Sequence, residues 1–271
     1  MFQQFYEPHP ALKAFVNNIM IHYVKFGEGQ PQLKFSVPPL PENCLFFYIR
    51  DHVGAENMTT NKKETHSSSI VLGPHFNRHV ITHGRNHLMV KVGFKPGGLY
   101  RFLGIPMNEL LCKDAFDSAD LLGSEMKEVD DKLKHAVSFI EMKMIIERFL
   151  LKKKDKLKPS LPIDQVLDLL IKEGGLVKID ELAFQACMSI RQFERVFQQR
   201  IGLPPKHFSR MVRFAKAWIM KEQQPVTPWT KIAYECGYTD HSAFSRQFKA
   251  YAGMSPTEYG SRVRQGSHAA G

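Results

Sequence analysis

The sequence has few cysteines and no long apolar run, and each shortage excludes a class of protein. Only four of the 271 residues are cysteine and no Cys-x-x-Cys pair is present, which excludes a zinc knuckle and a dithiol redox motif. Cysteines this sparse are typical of a reducing cytosol. No apolar segment approaches the ~18–20 residues of a membrane helix, and residues 1–10 lack the features of a signal peptide. We therefore expect a cytoplasmic protein with no membrane partner.

Acidic residues are in the minority, and the imbalance is uneven along the chain. Lys and Arg total 37 against 27 Asp and Glu, a net charge of +10. Residues 1–150 hold 17 basic and 16 acidic side chains, residues 151–159 hold 5 and 1, and residues 160–271 hold 15 and 10. The second half is therefore basic, which favours an anionic partner, most commonly nucleic acid, although a solvated basic face has the same composition.

The length predicts two domains, and two types of sequence meet near residue 150. Strand-like segments such as 44–49 and 88–94, separated by proline and glycine turns, indicate a small β-barrel or sandwich in the first hundred residues. Residues 124–151 place apolar side chains at three- and four-residue steps, as one or two helices that either fill a core or form a dimer seam. The predicted fold class is α+β, with residues 1–150 as the first domain.

A lysine- and proline-rich segment, residues 151–161, follows the first domain. Like charges repel and prolines stop helices, so we interpret this segment as a basic interdomain linker. Its composition fits a solvated hinge and a strip that touches phosphates equally well. Residues 162–265 are then predicted to form an all-helical second domain.

This helical half contains an internal repeat. Leu182-Ala183 matches Ile232-Ala233 at an offset of 50 residues. At an offset of 51, the segment Phe-Glu-Arg-Val-Phe at 193–197 matches Phe-Ser-Arg-Gln-Phe at 244–248, and Gly-Leu-Pro-Pro at 202–205 matches Gly-Met-Ser-Pro at 253–256. Ordered matches over so short a span indicate two copies of one structural unit.

Each copy is predicted to be a helix-turn-helix, in which a second helix buries apolar residues and exposes a polar face. In the first copy, Ser189 caps the second helix and Gly202 ends it ahead of two prolines. In the second copy, Gly237 occupies the turn and Thr239 is the predicted cap. The residues predicted to face inward are Ile190, Phe193, Val196, Phe197 and Ile201 in the first copy, and Phe244, Phe248 and Tyr251 in the second.

One helix is predicted to connect the two copies, from Pro205 to Glu222, and its inward face includes Trp218 and Ile219. About 17 residues at ~1.5 Å per residue span roughly 25 Å. With the flanking turns, this length places the two second helices near the ~34 Å separation of successive major grooves. We therefore predict one chain that reads two adjacent grooves of duplex DNA.

Residues 162–263 resemble the AraC/XylS family of bacterial transcription regulators, most specifically in "LAFQACMSIRQFERVFQQRIGLPPKHF" and "IAYECGYTDHSAFSRQFKAYAGMSPTEY". By matching positions, the resemblance implies DNA contacts from Arg191, Glu194 and Arg195 in the first reading helix and from His241, Ser242 and Arg246 in the second, with Gln192, Gln198 and Ser245 as neighbouring candidates. Many relatives carry Gln where this chain has Glu194. A carboxylate near phosphates is costly unless it accepts from a cytosine amine or pairs with Arg191 or Arg195, and of these two we expect the pairing. Structural ion pairs are the alternative role of Arg195 and Arg246.

The family resemblance also implies a cupin-like β-barrel for sensing and dimerisation in the first half. The segment "LGPHF…VKVGFKPGGLYRFLGIPMNELL" resembles the N-terminal regions of an uncharacterised AraC-like subgroup. The implied partners are double-stranded DNA, a second copy of the chain in a homodimer, and a small-molecule effector, with RNA polymerase left open. An effector cavity, or alternatively a filled core, is predicted from Phe35, Phe46, Tyr48, Val90 and Phe94. Neither a cofactor nor a catalytic residue is implied, and activation and repression both stay open.

Four histidines recur every four residues: His75, His79, His83 and His87. On a helix this spacing would be typical of metal ligands, but Pro74, Gly84 and Asn86 indicate a hairpin, across which His79 and His87 could approach. No carboxylate motif completes a site, so we expect surface or packing histidines and no bound metal. The leading hypothesis is a DNA-binding transcription regulator. The alternatives are a metal-dependent barrel enzyme with an accessory DNA-binding domain and a DNA-binding scaffold without an effector.

Overall fold

The N-terminal half of the computed structural model, which describes residues 2–27 and 34–264, is built on two antiparallel sheets. The six-stranded sheet has the order β1-β2-β9-β4-β7-β10, and the four-stranded sheet has the order β3-β8-β5-β6. The strands are β1 (Phe2–Tyr6), β2 (Val16–Lys25), β3 (Lys34–Val37), β4 (Cys44–Tyr48), β5 (Val53–Asn57), β6 (Lys63–Thr65), β7 (Ser69–Leu72), β8 (His79–His83), β9 (Asn86–Phe94) and β10 (Phe116–Asp117). Across the described residues no ladder joins the two sheets, so the fold is a sandwich and a closed barrel is not shown.

The six-stranded sheet separates a packed core from a cavity. Side chains alternate along a strand, so neighbouring residues point to opposite faces. On β4, Phe47 joins the core beneath the helices, whereas Phe46 lines the cavity between the sheets. On β9, Val90 and Phe94 also belong to the core. The prediction that these two side chains line the cavity was therefore wrong, because they point to the opposite face of the sheet.

Four helices cover the core face of this sheet: α1 (Gly98–Leu103), α2 (Ser118–Leu122), α3 (Glu125–His135) and α4 (Phe139–Lys153). The apolar stripe at 124–151 thus forms two helices, one of the two predicted possibilities. Its inner residues, such as Leu133 and Ile146, are buried in the core. Val137, Ile140 and Met144 are exposed instead, by 92%, 56% and 45%.

The basic segment 151–161 lies against the N-terminal domain for part of its length. Lys153 ends α4 and forms an ion pair with Glu125 of α3. Farther along, the Lys158 N–H donates to the Arg101 carbonyl at 2.9 Å, and Arg101 Nε donates back to the Lys158 carbonyl at 3.1 Å. Leu157 packs against the core of the sandwich. These contacts hold the segment to the sandwich before the second domain begins.

The C-terminal half is all helical, as predicted. Its helices are α5 (Pro162–Lys172), α6 (Ile179–Gln185), α7 (Ile190–Ile201), α8 (Pro205–Gln223), α9 (Trp229–Glu235), α10 (His241–Ala252) and α11 (Pro256–Arg264). Helices α6, α7 and α8 begin 50, 51 and 51 residues before α9, α10 and α11, which reproduces the offsets of the sequence repeat. No helix in the described part of the chain is both long and apolar enough to cross a membrane.

Helix α8 joins two separate hydrophobic cores. Its first half contributes Phe208 and Met211 to the core of α5, α6 and α7, and its second half contributes Phe214 and Trp218 to the core of α9, α10 and α11. At ~1.5 Å per residue its 19 residues span about 28 Å. Ile219, predicted to face inward, is instead 51% exposed. One rigid element therefore fixes the two helix-turn-helix units relative to each other.

Candidate DNA-binding surface

The first helix-turn-helix consists of α6 and α7, and its caps follow from the local sequence. The Gln192 N–H donates to Ser189 Oγ at 3.3 Å, which confirms the predicted N-cap of α7. Gly202 ends the helix with φ of +87°, the left-handed conformation expected of a C-terminal glycine. Ile190, predicted to be buried, is 52% exposed because it lies in the first turn, outside the core.

The second helix-turn-helix consists of α9 and α10, and its cap differs from the prediction by one residue. Asp240, not Thr239, caps α10, because its carboxylate accepts from the N–H groups of Ser242 at 2.8 Å and Ala243 at 3.1 Å. These two backbone hydrogen bonds lower the pKa of Asp240 below its ordinary value. The signal was present in the sequence, since Asp is as good an N-cap as Thr or better.

A left-handed residue makes the turn in both units. Gly237 has φ of +73° and the equivalent Cys187 has φ of +55°. A side chain costs roughly 1–2 kcal/mol in this conformation, so Gly237→Ala is expected to reduce the free energy of unfolding by about that amount. The matched control is the reciprocal variant, Cys187→Gly, which is expected to leave the free energy of unfolding unchanged or slightly raised. Urea denaturation of the two variants measures both effects. An equal loss of stability in Gly237→Ala and Cys187→Gly would contradict the prediction.

The structure brings all nine predicted DNA-contacting residues onto the two reading helices, α7 and α10. Eight of the nine are exposed, and Ser245 is half-buried beside His241, 3.5 Å from its Nδ1. The exposed residues are Arg191, Gln192, Glu194, Arg195 and Gln198 on α7, and His241, Ser242 and Arg246 on α10. This polar face of each reading helix is open to a partner.

The arginines of this face form no ion pairs in the unbound protein. Among the described residues no carboxylate lies within 4.0 Å of Arg195 or Arg246, and Glu194 pairs with neither Arg191 nor Arg195. The expected pairing of Glu194 was therefore wrong for the free chain, because helix spacing alone does not hold long exposed side chains together. The guanidinium groups are free to meet phosphates or base edges.

Three cations of α8, which the sequence reasoning missed, brace the second unit. The Arg213 guanidinium lies over the Tyr238 ring, 5.0 Å from its centroid, and Lys216 Nζ donates to the Glu235 carbonyl at 3.1 Å. Lys221 is 2% exposed and donates to the Thr227 carbonyl at 2.7 Å. The sequence indicates these contacts only by placing basic residues on the inner side of the connecting helix.

The loop between β7 and β8, residues 73–78, contacts both helix-turn-helix units. A Cβ at Gly202 would lie 2.3 Å from Pro74, and a Cβ at Gly253 would lie 2.4 Å from Arg78. These glycines are the C-terminal ends of the two reading helices, where a cation such as Arg78 is favoured by the helix dipole. The N-terminal domain therefore contacts the C-terminal ends of both reading helices and leaves their polar faces open.

A second interdomain contact centres on Arg200 near the end of α7. Its side chain is 4% exposed, forms an ion pair with Asp164 of α5 at 2.5 Å, and lies 4.9 Å from the centroid of the Tyr100 ring of α1. Asp164 also accepts from the Leu161 N–H at 2.8 Å, which caps α5. A single arginine thus ties the first reading helix to its own domain and to the sandwich.

A cavity of about 240 Å³ lies between the two sheets, with mostly apolar walls. Phe35, Phe46 and Tyr48 line it, as predicted. Its main charged groups include Lys91, which forms an ion pair with Glu42. Burial by itself raises the pKa of Glu42, but the Lys91 ammonium and nearby amides outweigh it and hold the pKa below the ordinary value. An internal ion pair beside apolar walls suits a small amphipathic ligand.

The four periodic histidines are all buried and divide into two groups. The His75 and His79 rings meet edge to face with centroids 5.6 Å apart, and His79 Nε2 lies 3.2 Å from Asp114 Oδ2. His83 and His87 lie on either side of the turn between β8 and β9, and their rings stack with centroids 3.9 Å apart. The predicted approach of His79 to His87 was wrong, because β8 and β9 belong to different sheets and pair with different strands.

Comparison with known proteins finds a domain model that matches the segment containing both reading helices. A family model described as a helix-turn-helix domain matches residues 182–262, and one described as a domain of unknown function (DUF6597) matches residues 4–115. LumQ of Photobacterium leiognathi, named a probable transcriptional regulator, is 30% identical over 146 residues, which are 51% of this chain and 56% of LumQ. RhaS of Escherichia coli, a transcriptional activator, is 32% identical over 90 residues, 33% of this chain and 31% of RhaS. The chain thus matches 31% to 56% of the length of these relatives.

Solved structures share the whole architecture. ToxT of Vibrio cholerae superimposes with a TM-score of 0.51 at 14% identity, over 95% of this chain and 100% of ToxT in an apo form. The form of ToxT with a bound unsaturated fatty acid has a TM-score of 0.50 at 14% identity and covers 94% of this chain and 96% of its own. The fold and the paired reading helices define a double helix-turn-helix domain behind a sheet-rich domain. The helix-turn-helix match over residues 182–262 falls within the part of the chain whose sequence resembles AraC/XylS regulators.

Proposed function

We propose that this chain is a transcription regulator that reads two adjacent major grooves of duplex DNA with α7 and α10. One observation carries the proposal: both reading helices present exposed, unpaired basic and polar side chains while one helix, α8, holds them in a fixed relation. Arginine and glutamine are suited to paired hydrogen bonds with base edges, and the surrounding lysines to phosphates. The relatives are named as regulators, which favours binding over catalysis. The chain would then work in the cytoplasm, with its DNA.

A titration of the full chain against labelled duplex DNA tests this function. Binding to random-sequence duplexes is expected to fall steeply with salt, because it depends on phosphate contacts. A variant with Arg195→Ala and Arg246→Ala should lose most of the affinity for any enriched sequence. The matched control removes two exposed positive charges from the sandwich, Lys62→Ala and Lys63→Ala, and should bind as the parent does. Equal loss in both variants would contradict a surface centred on α7 and α10.

We infer that the sandwich is a cupin-like sensing domain whose cavity binds a small effector. Besides the chemistry of the cavity, one loop that connects the cavity to both reading helices supports this inference. His75 of the 73–78 loop lines the cavity, and the same loop contacts the ends of both reading helices through Pro74 and Arg78. A ligand that displaces this loop would therefore move contacts to both helices at once. The mostly apolar walls favour a compact apolar molecule with one polar end near Lys91.

An unsaturated fatty acid is a suitable first probe, since ToxT has been solved with one. The chain has only two tryptophans, and both Trp218 and Trp229 lie in the second helix-turn-helix core. Calorimetry would measure binding, while tryptophan fluorescence would report transmission to the DNA-binding domain. Binding with a fluorescence change supports effector control. Binding without one would contradict the path through the 73–78 loop.

We further propose that a second copy of the chain covers the exposed apolar residues of α4 and of the short segment that precedes it. Ile140 and Met144 lie one turn apart on α4 and Val137 precedes the helix, and their exposure in a single copy leaves apolar surface in water. Ile140→Lys with Met144→Lys is expected to shift the full chain from dimer to monomer in sedimentation. Ile171→Lys, an exposed apolar residue of α5, is the matched control and should leave assembly unchanged. A parent chain that sediments as a monomer would contradict the dimer.

The linker lysines are expected to divide into two groups. Lys153 forms an ion pair with Glu125, whereas Lys154 and Lys156 are exposed and form no ion pair with the described residues. We propose that these two touch phosphates. Lys154→Ala with Lys156→Ala should then weaken binding equally for all sequences and reduce the salt slope by about 1.8, at ~0.9 per contact. An unchanged slope would make the segment a solvated hinge.

A further inference from the structure

Three buried histidines meet beside the cavity, where the two sheets converge. His22 of β2 and His87 of β9 are diagonal neighbours on one face of the six-stranded sheet. His83 ends β8 in the other sheet, and the β8–β9 turn brings its ring against that of His87. The His22 ring centroid lies 5.9 Å from that of His83 and 5.7 Å from that of His87. One ring nitrogen from each histidine lies within 4.8 Å of the other two.

Three of the six imidazole nitrogens of this cluster lack a hydrogen-bond partner among the described residues. His22, His83 and His87 are 7%, 8% and 0% exposed. Both nitrogens of His87 and Nδ1 of His83 have no hydrogen-bond partner within the part of the chain that the structure describes. Buried polar atoms are nearly always satisfied, so three such atoms in one cluster call for an occupant.

We propose that His22, His83 and His87 bind one divalent transition-metal ion of the zinc class. Three histidines with an open fourth position are an established donor set for such an ion. Metal–nitrogen distances of about 2.0–2.1 Å in a tetrahedron place the nitrogens roughly 3.3 Å apart. Binding therefore requires the rings of His83 and His87, which stack at 3.9 Å in the free protein, to rotate until a nitrogen of each faces the ion. His22 and His83 both line the cavity. The cavity therefore supplies the ion's route of entry and room for a fourth ligand.

The site goes beyond the proposed DNA-binding function and departs from the expectation of no metal. The sequence pointed to four histidines between positions 75 and 87 and gave no reason to include His22, more than 50 residues earlier. The two-sheet architecture selects His83 and His87 from those four and adds His22 from β2. The carboxylate that the sequence lacked is not required, because three imidazoles are enough to hold the ion.

Titration of the full, untagged and chelator-treated chain with Co²⁺ tests the site. We expect one ion per chain, the intense visible absorption of four-coordinate Co²⁺, competition by Zn²⁺ and a raised melting temperature. His22→Gln and His83→Gln should each weaken binding by about 100-fold or more, since even supporting residues around a metal are worth 10–100-fold. His75→Gln, another buried histidine of the same cavity, is the matched control and should bind Co²⁺ as the parent does.

Far-ultraviolet circular dichroism and the urea midpoint of each variant serve as the test of folding. Loss of Co²⁺ binding with the folded spectrum and urea midpoint of His75→Gln retained supports the site. Absence of stoichiometric binding by the parent chain would overturn it, as would equal binding by the parent, His22→Gln and His83→Gln. Either result would make the cluster a set of packed neutral imidazoles and would leave the proposed DNA-binding function intact.

Discussion

Arg246→Ala is expected to weaken binding to an enriched DNA site by about 1–3 kcal/mol, which is roughly 5- to 150-fold in affinity. Arg246 is exposed on the outer face of α10 and forms no ion pair among the described residues, so its guanidinium needs no release before it meets DNA. The exposed position gives no support to the alternative structural role. A guanidinium that forms two parallel hydrogen bonds to guanine would also lose base preference on truncation.

Arg246→Lys separates base reading from phosphate contact. Lysine keeps the positive charge but lacks the planar fork that makes paired hydrogen bonds. If Arg246 reads a base, the lysine variant should keep its salt slope and lose preference at one position of the site. Anisotropy titrations at fixed salt, with the enriched site and with single-base variants of it, measure both effects. Full retention of preference by the lysine variant would show that Arg246 only anchors a phosphate.

Arg200→Ala is expected to reduce the free energy of unfolding by about 3–5 kcal/mol, because it leaves the carboxylate of Asp164 buried without its partner. The Arg200 side chain is 4% exposed and that of Asp164 is 12% exposed, so water does little to replace the lost ion pair. The stacking of the guanidinium on Tyr100 of the sandwich is removed as well. The loss should therefore affect both the α5–α7 core and the contact between the domains.

Arg195→Ala is the matched control, since Arg195 lies on the same helix with its side chain exposed. It is expected to change the free energy of unfolding by less than about 0.5 kcal/mol, as surface substitutions usually do, and to weaken DNA binding instead. Urea denaturation followed by circular dichroism, paired with a DNA titration of each variant, gives the comparison. A stability within 1 kcal/mol of the parent for Arg200→Ala would contradict a buried clamp.

Local features of the helical half could be predicted because their causes are local. The capping hydroxyl of Ser189, the left-handed Gly202 and the repeated Phe pairs of α7 and α10 each depend on a few neighbouring residues. The cap of α10 was misplaced by one residue because Thr239 and Asp240 are both competent caps and only the backbone conformation selects between them. Such errors leave the polar face of the helix unchanged, since Phe244 and Phe248 set its orientation.

Features that depend on contacts between distant segments could not be predicted. Strand β9 alternates between an apolar face with Val90 and Phe94 and a mixed face with Met89 and Lys91, but alternation alone does not show which face meets the helices and which meets the cavity. The clamp of Arg200 joins residues from three helices, and the histidine cluster joins strands of two sheets. No spacing along the chain records either arrangement. Charge balance and periodicity identified the DNA-binding half but not how the sandwich contacts it.

Selection of binding sites from random duplexes by the purified full chain is the decisive experiment. Two reading helices on one rigid connector predict enriched sites with two conserved blocks, whose centres lie about one helical turn, 10–10.5 base pairs, apart. Arg246→Ala should erase preference in one block and Arg195→Ala in the other. Enrichment of a single block, or no enrichment above random sequence, would contradict a chain that reads two neighbouring grooves at once.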